Sequence, residues 1–251
     1  MAWQGKILRV DLTNMKCSSE PLNMEWADQY IGCRGLGSKY LMEEIDPKID
    51  PLAPGNKLIF ATGPLTGTSA STSSRWAVIT KGALTHAIAC SNSGGFFGAE
   101  LKFAGWDMII VEGCAPKPVY LHIQNEKADL LSAEDFIWNK TVWETEDLIR
   151  KRHHDNDLRL ASVGMAGEQG VKYACIVNDR DRAAGRSGVG AVMGSKNLKS
   201  IAVRGTQGLL VDDPKAFLDV ARKAAAKLNA TQDRNSKAAS GTMVMMDVNQ
   251  S

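Results

Sequence analysis

Asn178–Val203 reads NDRDRAAGRSGVGAVMGSKNLKSIAV. Arg180, Arg182 and Arg186 stand among glycines and alanines, and the stretch runs into the β-rich SIAVRG from Ser200. Small residues let a backbone come close to whatever packs on it, and arginines present forked donors to anionic oxygens. Two readings fit: a seat for an anionic ligand, or a surface turn laced with salt bridges. The segment GVGAVMG (Gly188, Gly190, Gly194) imitates a dinucleotide fingerprint. Its spacing, G-x-G-x-x-x-G, is one residue too long, and no strand is predicted ahead of it. GSK at Gly194–Lys196 copies only the tail of a P-loop. A nucleotide fold is therefore set aside. The small residues are read as room for close backbone approach to a ligand, with Arg182 and Arg186 forking onto its oxygens.

Outward from that stretch, short β-like segments recur: KILRVDL from Lys6, KLIFATG from Lys57, RWAVIT from Arg75, DMIIVEG from Asp107, VYLHIQ from Val119, LRLASVG from Leu158 and KYACIVN from Lys172. Each is rich in β-branched or aromatic residues. Helical patterns fall between some of them: LGSKYLMEEI from Leu36, GFFGAELKFAG from Gly95 and TVWETEDLIRKR from Thr141. Their order is irregular rather than strictly alternating, which predicts an α+β fold and not a doubly wound parallel sheet. Near Gly208 the composition shifts. Asp213 is placed to cap a helix and Pro214 to open it, with Phe217, Val220, Ala221, Ala224 and Leu228 along one face.

Two further loops favour anions. In GPLTGTSASTSSR from Gly63, seven Ser or Thr residues lie between Thr66 and Ser74, and the loop delivers Arg75 into a strand. Hydroxyls, amides and an arginine suit a phosphate; a solvated hairpin loop is the plainer reading. In SNSGGFFGAELKFAGWD from Ser91, Asn92 and Ser93 are placed to cap the following helix, with Gly94-Gly95 leaving its first amides uncovered. GCRGLGSKY from Gly32 has a similar flavour around Arg34 but reads better as a helix C-cap and turn.

The 251 residues carry a formal charge of +2, far from the basic balance that marks nucleic-acid binding. Five widely spaced cysteines form no C-x-x-C pair, which argues against a disulfide framework, a zinc site or a local iron–sulfur motif. They read as buried thiols of a reducing compartment. The N-terminus lacks a signal-peptide core and no apolar run approaches a membrane span, so a cytoplasmic location is expected. The histidines are scattered, with His153-His154 read as a solvated helix end, and the Trp and Phe residues are read as core. Three anion-friendly loops without a visible acid, base or nucleophile describe a cofactor cradle.

KLIFATGPLTGTSASTSSR, NSGGFFGAELKFAGWDMIIVEG and GEQGVKYACIVNDRDRAAGRSGVGAVMGSKNLKSIAV resemble, in order and spacing, the N-terminal domain of the aldehyde ferredoxin oxidoreductase family. The resemblance spans residues 3–210. It implies two β-sheets related by a pseudo-twofold with flanking helices, forming a base for a tungsten (in some members molybdenum) bis-pterin. A pterin-binding domain over 1–209 would then precede the first helix of a second, helical domain over 210–251. The resemblance assigns cofactor contacts to Arg75, to the turn Asn92, Ser93, Gly94 and Gly95, and to the turn Arg182, Ala183, Ala184, Gly185 and Arg186. It also implies a magnesium ion bridging the pterin phosphates, held by main-chain carbonyls of Asn92 and Ala183. Ser73-Ser74 departs from the Gly-Gly that many members carry before the arginine.

The family's 4Fe–4S cysteines, in a C-x2-C-x3-C pattern, lie further on and have no counterpart here, so this chain would not ligate the cluster. The complete enzyme would oxidise an aldehyde to an acid and pass electrons to ferredoxin or another electron-transfer subunit. Neither nucleic acid nor a membrane is expected as a partner, and self-association into a homo-oligomer is. The chain alone is expected to be inactive. The competing reading is a stand-alone pterin- or phosphate-binding or assembly module; a reading frame continuing into C-x2-C-x3-C favours the enzyme.

Overall fold

A computed structural model describes residues 2–244. The chain forms two compact units: one from the chain up to Thr68 together with Ser73–Leu210, the other from Ser69–Thr72 and the chain from Val211.

Two six-stranded sheets build the first unit. The first holds β1 (Lys6–Asp11), β2 (Lys16–Pro21), β3 (Leu58–Thr62), β4 (Trp76–Lys81), β5 (Ile88–Ser93) and β6 (Met108–Glu112), in the order β2-β1-β6-β3-β4-β5. The second holds β7 (Val119–Gln124), β8 (Lys127–Ser132), β9 (Arg159–Ser162), β10 (Ile176–Asn178), β11 (Arg182–Ala184) and β12 (Leu198–Arg204), in the order β8-β7-β12-β9-β10-β11. The two orders are the same once six is added to each strand number. In both sheets the first and last strands pair in parallel and every other pairing is antiparallel. The α+β expectation holds, and the connectivity is that of a duplicated half.

The register repeats as well. A row of paired residues crosses the first sheet through Ile7, Met108, Ala61, Ala77 and Asn92. The matching row of the second sheet runs through Tyr120, Ser200, Ser162, Val177 and Ala183. One step off these rows, Thr62 N donates to Asp107 O and Val163 N donates to Lys199 O. Each of those equivalent positions carries a fully buried charge of opposite sign. Asp107 pairs with Lys102 at 2.5 Å, and Lys199 pairs with Glu168. Burial without a partner would cost several kcal/mol per ion, about what pairing and hydrogen bonding must offset.

The sheets share one apolar core, in which Phe60, Val78 and Ile109 of the first meet Leu121, Ile176 and Ile201 of the second. Helices α3 (Phe97–Phe103) and α6 (Val189–Ser195) add Phe97, Leu101, Val192 and Met193 to it. The outer face of the first sheet is covered by α1 (Met24–Tyr30) and α2 (Cys33–Glu44), through Ala27, Leu36, Tyr40 and Leu41. The outer face of the second is covered by α4 (Val142–His153) through Ile149. Covered on both faces, β3 reads as an unbroken apolar run, LIFAT. Helix α4 starts on a capping box, Thr141 with Glu144, which satisfies two otherwise orphaned amides.

Several expectations need correction. GCRGLGSKY is not a C-cap and turn: Gly32 separates α1 from α2, and α2 already begins at Cys33. Gly37 lets α2 lie close on β4, because a Cβ there would lie 2.6 Å from Ile79 Cδ1. KYACIVN yields only the three-residue β10, and a strand, β11, does precede GVGAVMG. The glycines of that segment do admit a close backbone, but it is the protein's own. A Cβ on Gly190 would stand 2.5 Å from Cys175 O and 2.8 Å from Ala174 O; one on Gly194 would run into the carbonyl of Gly167, in α5 (Met165–Glu168). The five cysteines are free and only partly buried. Trp143 and Phe96 are exposed rather than core. His154 is exposed as expected, but His153 is partly buried: its ring stacks on His122 at 3.8 Å, and its Nε2 lies 3.0 Å from Tyr120 Oη.

In the second unit, α7 (Pro214–Asn229) opens as expected, with Asp213 Oδ1 accepting from Ala216 N. It buries no residue; α8 (Gln232–Ser240) and a 3-10 turn, Gly241–Val244, follow.

Candidate functional site

Strands β5 and β11 are the corresponding edges of the two sheets. An edge strand pairs on one side only and leaves alternate backbone groups of the other side unused. The sequence-predicted residues gather along these edges and the turns that leave them. Asn92 is exposed on β5, and Arg182 and Ala183 are exposed on β11. Gly185 and Arg186 follow, both exposed, while Ala184 is buried.

Arg75 is the exposed residue immediately before β4, and its guanidinium lies 3.9 Å from the position a Cβ would take at Gly94. Its carbonyl accepts from Thr66 Oγ1 at 3.0 Å. Thr66 belongs to the hydroxyl-rich loop, several of whose hydroxyls bond within the loop. Thr68 donates to Leu65 O, Ser73 to Thr68 O and Thr72 to Ser71 O. These bonds shape the loop that precedes Arg75.

The two turns meet through side chains. Arg186 N donates to Ser91 Oγ of β5 at 3.0 Å. Asn178, fully buried at the end of β10, accepts from Ser93 Oγ at 2.6 Å and donates to Gly94 O at 2.9 Å. The expected cap on α3 is corrected accordingly: Asn92 and Ser93 belong to β5, the N-cap position falls to Phe96, and no side chain caps it. Nor is the entry amide uncovered, because Phe96 N donates to Asp179 Oδ2 at 2.6 Å. The Ser93 hydroxyl is thus committed to Asn178. The carbonyl of Gly94 is taken twice, by Asn178 and by Trp76 Nε1 at 3.2 Å.

Among the described residues, no ion pair involves Arg75, Arg182 or Arg186, whereas Arg9, Arg150, Arg180 and Arg204 each pair with carboxylates. Arg180, first grouped with the other arginines of the opening stretch, is thus a salt-bridge residue held by Asp147 and Glu146. Arg34 is likewise exposed, in the first turn of α2. Burial pushes the Cys90 thiol on β5 up, and the nearby Arg34 charge opposes it. Burial also pushes the Cys33 thiol up, to about 11, so neither is a thiolate at neutral pH. Among the described residues, no three His, Cys, Asp or Glu side chains come together as a metal site. A separate apolar hollow of about 310 Å³, lined by Leu41, Met42, Ile45 and Ile88, reaches the far turn of the β4–β5 hairpin through His86. None of the candidate residues lines it.

Sequence reading missed Asn178, Asp179, Ser91 and Phe96. The signal for the first two was the Asn-Asp pair opening the quoted stretch, a composition that favours tight turns. Asp179 and Arg180 both take left-handed backbone conformations there, at φ 47° and 62°.

Among the described residues, no helix is long and apolar enough to cross a membrane. Residues 7–205 match the profile of the aldehyde ferredoxin oxidoreductase N-terminal domain. The chain is 54% identical over 224 residues to a tungsten-containing aldehyde ferredoxin oxidoreductase of Pyrococcus abyssi (strain GE5 / Orsay), a match covering 89% of this chain and 37% of that protein. It is 34% identical over 219 residues to the aliphatic sulfonate oxidoreductase, WOR-like subunit, of Pyrococcus furiosus, covering 82% of this chain and 35% of that one. Among solved structures, the active-site complex BamBC of benzoyl coenzyme A reductase with 1,5-dienoyl-CoA superposes with a TM-score of 0.90. Identity there is 36%, over 92% of this chain and 35% of that chain. The chain thus spans little more than a third of the length of these relatives. With its duplicated sheets and nearly its whole first unit inside the match, the chain belongs to the aldehyde ferredoxin oxidoreductase family, of which it carries the N-terminal domain.

Proposed function

We propose that the β5–β11 edges seat the phosphate tails of a tungsten bis-pterin, with a magnesium ion between them held partly by the carbonyls of Asn92 and Ala183. The observation that carries this reading is the repeated register: the two rows crossing the sheets end on Asn92 and Ala183. The donor set fits the group. Backbone carbonyls suit a hard, oxygen-seeking cation. Arg75, Arg182 and Arg186, which form no ion pair among the described residues, suit phosphate oxygens, to which a guanidinium gives paired, charge-assisted hydrogen bonds. A Cβ at Gly185 would find nothing nearer than 4.0 Å, so the backbone there stands open to a close ligand.

In the whole enzyme the bound cofactor would supply the two-electron redox chemistry, oxidising an aldehyde to a carboxylic acid with electrons leaving through a 4Fe–4S cluster to ferredoxin. What this chain's residues do is bind and orient. Arg75 reaches from the first half and Arg182 and Arg186 from the second, neutralising charge that would otherwise repel between two adjacent phosphates. Residues 1–209 form this base, and 210–251 begin the next domain.

The test is Arg75→Ala and Arg182→Ala in the whole enzyme, with tungsten measured by mass spectrometry and pterin by fluorescence after oxidation. Each loses charge-assisted bonds worth about 1.5–3 kcal/mol apiece, so cofactor content falls about tenfold or more while the exposed sites leave folding intact. Full tungsten and pterin in both variants would falsify the seat.

A further inference from the structure

We propose that Asn178 and Asp179 are positioning residues that clasp the first half's cofactor turn onto the second half, a role that rests on the seat described above. Strands β5 and β11 belong to different sheets and share no backbone ladder. Side chains must therefore fix the distance between them.

An amide side chain both donates and accepts, so it can bridge a hydroxyl and a carbonyl at once. Asn178 does so with no solvent exposure, taking Ser93 Oγ at 2.6 Å and giving to Gly94 O at 2.9 Å. Its second N–H goes to Asp179 Oδ2 at 2.7 Å. That same carboxylate oxygen takes Phe96 N at 2.6 Å, so three positions of the first-half turn, Ser93, Gly94 and Phe96, are tied to two adjacent residues of the second. Gly95 sits at φ 81°, and a Cβ there would stand 2.7 Å from Asn178 Nδ2 and collide with the Asp179 carboxylate. The clasp thus explains why that turn needs a glycine.

The reciprocal tie runs the other way, from Arg186 N to Ser91 Oγ. By register Ser91 pairs with Val78 and Arg182 pairs with Asn178, so Ser91 and Arg182 hold equivalent places in the two halves. Each edge hairpin reaches the turn of the other. The separation of the carbonyls of Asn92 and Ala183 then depends on Asn178 although it touches neither.

The experiment uses the 251-residue chain and Asn178→Ala, Asn178→Asp, Asp179→Asn and Arg182→Ala. Two signals are read: hydrogen exchange at the Gly94–Phe96 amides, and calorimetric binding of inorganic pyrophosphate with magnesium. Asn178→Ala and Asn178→Asp should speed exchange at Gly94–Phe96 and weaken magnesium pyrophosphate about tenfold, as loss of a partner behind a ligand commonly does. Asp179→Asn keeps an acceptor for Phe96 N and should restore both signals to near wild type. Arg182→Ala should weaken binding without changing exchange. Should Asn178→Ala fail to fold, Ser93→Ala removes one tie only and must move both signals in the same direction. Unchanged exchange in the Asn178 variants refutes the clasp. Faster exchange with wild-type affinity refutes its positioning role. If the wild type takes up no magnesium pyrophosphate, the seat itself fails and the positioning role with it, while the exchange data still report whether the turns are tied.

Discussion

Replacing Gly190 by alanine separates packing from ligand binding within one glycine-rich stretch. The added Cβ would lie 2.5 Å from Cys175 O and 2.8 Å from Ala174 C and O. A methyl carbon normally stands about 3.3 Å or more from a carbonyl oxygen, so the 174–175 backbone must recede by roughly 0.5–0.8 Å. That motion stretches the bond from Gly190 N to Ala174 O, now 2.9 Å, and drags on β10, which begins at Ile176. Alanine recovers about 1 kcal/mol of helix propensity relative to glycine. Against this stand an overpacking cost of about 1–3 kcal/mol and about 1 kcal/mol for the weakened hydrogen bond. The balance is a destabilisation of about 1–3 kcal/mol, or about 2–10 °C in Tm for a chain of this size. Gly185→Ala is the matched control, five residues away with open space around it, and should melt within about 0.5 kcal/mol of wild type. Urea and thermal unfolding of the two variants without ligand measure the difference. If Gly190→Ala is as stable as wild type, the glycines of GVGAVMG are not there for internal packing and the ligand-approach reading returns.

Two further outcomes follow from the same coordinates. Burial and the neighbouring His153 push His122 down to about 4, so between that value and its ordinary 6.5 the unfolded chain binds a proton the folded chain refuses. Stability is then full above pH 6.5 and falls on acidification toward pH 4, by about 1–2 kcal/mol after solvent screening at this half-buried site. His122→Phe keeps a ring on His153 and should flatten that part of the Tm–pH curve; an unchanged slope would rule the pair out as its source. On the proposed seat, Asn92→Ala in the whole enzyme retains magnesium and pterin, because the backbone carbonyl is the donor. Loss of magnesium would assign the side chain instead.

How much of this was legible in the sequence divides along the sheet edges. Each β-like segment read from the sequence became a strand, although KYACIVN shrank to three residues. The strands that escaped notice are β2 (KCSSEP), β5 (IACSNS), β8 (KADLLS) and β11 (RAA), and these are the four sheet edges. Interior strands here are covered on both faces and announce themselves as apolar runs. Edge strands here are partly solvated and polar, so Asn92 and Ser93 read as turn and cap residues. The candidate residues were nonetheless nameable, because glycines and arginines stand out in a sequence whatever the backbone conformation. Asn178 was invisible for the opposite reason: a buried amide is defined by its partners, and Ser93 and Gly94 lie over eighty positions away in sequence. The duplication was legible only through the family resemblance, which implied the pseudo-twofold; residue by residue it is hidden, since equivalent positions hold unlike residues, such as Asp107 against Lys199.

That divergence bears on which atoms do the binding. At the ends of the matching rows stand Asn92 and Ala183, one amide and one methyl, at equivalent places on equivalent edges. A ligand set that uses both places alike must draw on what they share, and they share only the backbone. Within each sheet the carbonyls are placed by the strand register, which the core holds through Phe60, Val78, Ile176 and Ile201. Charge follows the opposite logic. The first half supplies its arginine from before β4, at Arg75, and the second from on and after β11, at Arg182 and Arg186. Two equivalent phosphates on this surface would therefore meet the same backbone but different side chains. The two pterins of such a cofactor would be held unequally, and the half with Arg182 and Arg186 would grip its phosphate through more guanidinium groups than the half with Arg75 alone.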